Sequence, residues 1–143
     1  MNKRLLRLWA SGATPARDGL YRVDGPAWAV DVDGPALSWF EIGAPLDLND
    51  VLADPEDVLD IDVSAEASLP RGGSVVCGEG AMGSEGFFAR LDAMGSLVWV
   101  VSLLHSNPFY GVAVEESVAT FTNNHGNSID IRLDAPEFEL IEL

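Results

Sequence analysis

The longest apolar run in the chain is Ser96–Phe109, SLVWVVSLLHSNPF. Leu97 to Val101, then Leu103 and Leu104, leave no alternate position for solvent. A strand with one wet face alternates, so this run predicts a strand covered on both faces. It stops at Ser106-Asn107-Pro108, because proline has no N–H to give a ladder and restricts the residue before it.

Shorter patterned segments surround this predicted central strand. Val23-Asp-Gly-Pro-Ala-Trp28 recurs nine residues later as Val32-Asp-Gly-Pro-Ala-Leu37, and each Asp-Gly is a turn signal. The spacing predicts a meander of strands at Leu20–Val23, Trp28–Val32 and Leu37–Ile42. Residues 3–10 read equally well as a strand or a short helix, and Ser11–Arg17 as a loop. Leu46, Leu48, Val51 and Leu52 follow a helical period that Asp54-Pro55 ends. Asp57–Val63 alternates as a strand with an acidic outer face. Further strands are expected at Ser74–Cys77, Phe87–Leu91, Phe109–Val114, Ser117–Thr122, Ile129–Leu133 and Phe138–Ile141, with Asn123–Asn127 as a dense turn. The fold class expected is mostly β in a single domain: an antiparallel sandwich or strongly curled meander sheet with one short helix.

Charge changes the picture more than composition does. A hydrophobic fraction of 48% in 143 residues is that of an ordinary globular chain, but 23 acids face 8 Lys plus Arg, a net charge of −15. Nucleic acid and anionic membrane surfaces are poor partners for such a molecule, and a basic protein or a cation is the natural one. The acids are not evenly spread. Residues 23–70 hold twelve of them and no Lys or Arg. Asp47, Asp50, Asp54, Glu56, Asp57, Asp60 and Asp62 form the densest part, and they are the candidate partner-binding residues. Such a cluster orients and accelerates the approach of a basic protein; it is also what a solvated face looks like. Lys3, Arg4 and Arg7 are placed to pair with it and tie down the N-terminus.

Catalytic and cofactor motifs are weaker. Gly78-Glu-Gly80-Ala-Met-Gly83 matches G-x-G-x-x-G, but a strand rather than a helix is expected after it, and Glu79 and Glu85 would repel phosphate. A flexible or bulged connection is the better reading, and no cofactor is expected. Asp31-Val-Asp33-Gly34 lacks the later ligands of a calcium loop. Cys77, His105 and His125 could serve a small hydrolase-type enzyme, though no nucleophile motif surrounds them. One cysteine excludes an internal disulfide. The start MNKRLLRLW is too short an apolar stretch for a signal peptide once Arg7 interrupts it, so a cytoplasmic protein is expected.

In Trp99-Val-Val…His105-Ser-Asn-Pro-Phe109 and the turn-rich meander that follows, about the last 70 residues, the chain resembles small acidic bacterial immunity proteins of toxin–immunity systems. The resemblance implies inhibition of a basic toxin by a complementary acidic surface, and it carries over no individual residue. A structural oligomer joined through strand edges is the remaining alternative.

Overall fold

A computed structural model describes residues 1–140. Among these residues eleven strands form two antiparallel sheets. The larger has eight strands in the order β1 (Ala13–Pro15), β5 (Val58–Ser68), β6 (Ser74–Gly80), β7 (Gly86–Leu91), β8 (Leu97–Leu103), β2 (Gly19–Arg22), β3 (Ala27–Val32), β4 (Phe40–Leu46). The smaller has three, β11 (Ser128–Arg132), β10 (Val118–Asn123) and β9 (Phe109–Glu115). The mostly β, antiparallel sandwich expected from the pattern is the architecture found.

β8 is the spine. All seven of its residues are buried. Trp99, Val101 and Leu103 join the core under the three-stranded sheet, while Leu97 and Val100 join a second core under α1 (Lys3–Ala10) and α2 (Leu48–Val51). Two faces, each capped by another layer, explain why its sequence does not alternate. Phe88 of β7 anchors the larger core, stacked on Phe121 at 4.3 Å between ring centroids and edge-on to Phe109 and Trp99. The eight-stranded sheet curls strongly. β1, paired with β5 at one edge, is itself four places from β8 in the sheet, yet the Thr14 hydroxyl reaches Ser102 of β8 at 3.4 Å.

The open choice at residues 3–10 resolves as helix. Asn2 caps it, accepting from the Leu5 N–H at 3.0 Å, and Leu5 is its buried residue. Several boundaries differ from expectation, each for a local reason. Ala13–Pro15, expected as loop, is a strand too short to show a period. Leu37 begins no strand: it ends a 3-10 turn over Gly34–Ala36 at φ +53°, and the strand runs Phe40–Leu46 instead. Pro45 is tolerated there because β4 is an edge strand. The helical period over 44–55 yields only the single turn of α2, since Asp47 caps it and the chain turns again at Asp54. β6 continues through Gly78 to Gly80, so the connection to β7 is a tight turn closed by the Glu85 carboxylate on the Met82 N–H at 2.9 Å. No strand forms over Phe138–Leu140, and Ile141 lies outside the described residues. Trp99 Nε1 and Arg90 Nη1 instead hold the Phe138 carbonyl at 2.8 and 3.1 Å, inside a run of turns.

β5 reaches Ser68, well past Val63, because of a bulge. Val63 pairs with Gly78 and Ala65 with Cys77, leaving Ser64 without an opposite residue. One extra residue reverses the phase of a strand. Ile61 accordingly packs on the helical side, and Ala65 and Ala67 on the other. Gly78 makes the pairing possible, since a Cβ there would run into the Asp62 carbonyl and the Phe87 ring.

Candidate functional site

All seven predicted partner-binding acids are exposed. Asp47 and Asp50 lie at and in α2, Asp54, Glu56 and Asp57 on the α2–β5 connection, and Asp60 and Asp62 on the first half of β5, and their local duties differ. Asp47 accepts from the Asn49 N–H at 2.9 Å and Asp54 from the Glu56 N–H at 2.9 Å, so each shapes its own turn. Asp54 and Asp57 line a shallow groove of about 310 Å3 with Arg4 and Arg7 of α1 across it. No ion pair forms there among the described residues; Arg4 donates to the Leu52 carbonyl instead. The N-terminal helix is thus tied down, as its basic residues suggest, but to backbone.

Asp60 and Asp62 lie further along, on one face of β5. Asp62 sits directly opposite Glu79 of β6, a like-charged pair on the same face of the sheet. Over Glu79 stands Tyr110 of β9, about half exposed, donating to the Glu79 carboxylate at 3.3 Å. The Glu79 charge, with lesser contributions from partial desolvation and this hydrogen bond, raises the Tyr110 pKa. The phenol therefore stays a donor, and its ring is an exposed aromatic surface bordered by carboxylates. Sequence reading missed Glu79 and Tyr110. The first belongs to the glycine motif, and the second lies in an ordinary strand whose partner only the sheet topology reveals.

Cation partners are scarce. Among the described residues two ion pairs form, Arg22–Asp24 and Arg132–Asp134, and neither involves the seven acids. No group of three or more His, Cys, Asp or Glu side chains is arranged to hold a metal ion among those residues. Asp33 of the calcium-like stretch accepts from the Ser38 N–H at 2.8 Å, closing the 3-10 turn.

The candidate nucleophile and bases are not brought together. Cys77 is buried in the core, where its thiol meets the Gly111 carbonyl at 3.6 Å and burial pushes its pKa up to about 12. A thiolate, the reactive species, is therefore suppressed at neutral pH. His105 and His125 are exposed in the loops at one end of the sandwich. His125 Nε2 contacts Asn107 Nδ2 at 3.1 Å. Buried Asn123 organises that end, its Nδ2 donating to the Pro35 and Ser106 carbonyls at 2.8 and 2.9 Å and its Oδ1 accepting from the His125 and Asn127 N–H groups at 3.0 Å each.

No helix among the described residues is long and apolar enough to cross a membrane. Compared with protein-family models, curated proteins and solved structures, the chain matches none of them.

Proposed function

We propose that the protein is an acidic binding domain that engages and inhibits a basic protein partner, of the kind met in toxin–immunity pairs. One observation carries the reading: a run of exposed carboxylates, Asp47 to Asp62, with no ion-pair partner among the described residues. Uncompensated charge of one sign costs a folded protein self-repulsion, and a basic partner would relieve it. Asp62 and Glu79 beside Tyr110 combine that charge with an aromatic anchor, the residue type over-represented at interface hot spots. Asp54 and Asp57 have Arg4 and Arg7 across their groove and contribute less.

The test is surface plasmon resonance with the product of an adjacent gene that encodes a basic toxin domain, at low and high ionic strength. Affinity should weaken with salt. Asp60→Lys with Asp62→Lys should slow association, and Tyr110→Ala should speed dissociation, each by roughly tenfold, the factor that 1.4 kcal/mol represents. An affinity indifferent to both salt and charge reversal refutes electrostatic recognition through this face.

A further inference from the structure

The sequence contains Arg-X-Asp twice on strands flanking β8, as Arg22-Val-Asp24 and Arg90-Leu-Asp92. Arg22 and Arg90 both lie opposite Trp99, from β2 and β7, so the three side chains share a face. Both arginines use Nη1 in the same way, to hold carbonyls of the segment after β11: Glu137 for Arg22 at 2.9 Å, Leu133 and Phe138 for Arg90 at 3.3 and 3.1 Å. Their other edges differ. Arg22 grips Asp24 with Nε and Nη2 at 2.8 and 3.2 Å, the two-pronged carboxylate geometry of a guanidinium. Asp92 does not return to Arg90. The strand shifts register between Arg90 and Leu91, and the Asp92 carboxylate turns to cap the β7–β8 hairpin, accepting from Met94 and Ser96 N–H at 2.9 Å each.

The Nε–Nη2 edge of Arg90 consequently has no hydrogen-bond partner among the described residues, while no buried side-chain nitrogen there is orphaned. Arg90 lines a groove of about 540 Å3 together with Leu69, Leu133 and a second cation, Arg71, on the β5–β6 turn. That volume falls in the range of small-molecule sites. We propose that this groove binds a small organic monocarboxylate, whose two oxygens take the place on Arg90 that Asp24 takes on Arg22. Burial, and then the neighbouring charge of Arg22, lowers the Arg90 pKa. A bound anion offsets both penalties. Glu116 and Asp134 also line the groove, the latter already facing Arg132 at 3.4 Å, and their charges disfavour a ligand with more than one negative charge. The site is separate from the acidic partner face and does not depend on it.

Propionate titrated at constant ionic strength, followed by the NMR signal of the Arg90 Nε–H, is the direct test. A saturable shift of that signal is expected, with inorganic phosphate producing none. Arg90→Lys keeps the charge but lacks the fork, and should weaken binding by about tenfold or more. Because Arg90 also braces the chain after β11, Arg71→Ala at the exposed turn provides a second reading that leaves the fold alone, and should weaken binding by about two- to fivefold. Arg132→Gln should leave the Arg90 response in place. No saturable shift, a response to phosphate but not to propionate, or binding unchanged in both Arg90→Lys and Arg71→Ala overturns the proposal.

Discussion

Replacing Asn123 by Asp changes two atoms' chemistry and leaves their shape alone, which makes it a sharp test of how the loop end is held. Asn123 is 4% exposed, and its Nδ2 feeds the carbonyls of Pro35 and Ser106. The carboxylate keeps the two bonds accepted from His125 and Asn127 but turns both donor contacts into oxygen facing oxygen. The Pro35 carbonyl retains Asn127 Nδ2 at 2.9 Å, so its loss is limited to about 1 kcal/mol. The Ser106 carbonyl loses its amide donor in a buried site, about 2 kcal/mol. Holding a charge against those two carbonyls adds a further penalty of about 1–2 kcal/mol. The variant should therefore be about 4–5 kcal/mol less stable than the parent at pH 7 by urea unfolding.

The pH dependence has a definite sign. Burial and the two carbonyls raise the folded-state pKa of the introduced carboxyl above the unfolded value near 3.9. Its protonated form, which can donate once, is favoured in the folded state. The deficit relative to the parent should thus be smallest below the unfolded pKa, and should grow as pH rises through the folded one. Asn123→Ala, with nothing to titrate, should show a deficit that does not move with pH. A cost for Asn123→Asp under about 1 kcal/mol at pH 7, or one that fails to shrink on acidification, would refute the hydrogen-bond reasoning.

Two further outcomes follow from the core. Phe88→Ala should cost about 4 kcal/mol by denaturant unfolding, because four aromatic rings within 6.2 Å (Phe40, Trp99, Phe109, Phe121) lose their common partner; Phe88→Leu should cost clearly less. Cys77 should resist thiol reagents in the native state and react only as fast as the protein opens. With its pKa moved from 9.0 to about 12 by burial, the folded state keeps its proton where the unfolded state loses it. Stability should fall as pH rises through that window, and a Cys77→Ser variant should lack this component.

The central strand was legible in sequence because seven successive non-alternating residues admit few environments other than burial on both faces. Hairpins joined by Asp-Gly and Asn-rich turns were legible too, since turn chemistry is local. What escaped depends on partners distant in sequence. Ala13–Pro15 is a strand only because β5 is there to pair with it. Phe138 looks like a strand residue, yet Trp99 and Arg90 recruit its carbonyl from 39 and 48 residues away. The acidic run was readable as charge but not as a site. Glu79 and Tyr110, which give it an aromatic centre, come from two other strands and carry no periodic mark of that role. The parallel between Arg22 and Arg90 was spelled out in the sequence, and its meaning turns on a register shift that no local pattern announces.

The unmatched Ser64 of β5 sets how this part of the chain can change over time. Upstream of it, exposed acids face one side of the sheet, and downstream the phase is reversed. Substituting one exposed acid for another polar residue leaves every apolar contact intact. Deleting Ser64 alone would close the bulge, making Val63 opposite Gly78 and Ala65 opposite Cys77 successive pairs of a regular ladder. Ile61 would keep its place in the helical core, Ala65 and Ala67 theirs against the smaller sheet, and Glu66 would stay turned away from it. The extra residue is therefore a reserve of length: it can be lost with every apolar side chain kept on its own face, while the exposed acids can drift by point substitution.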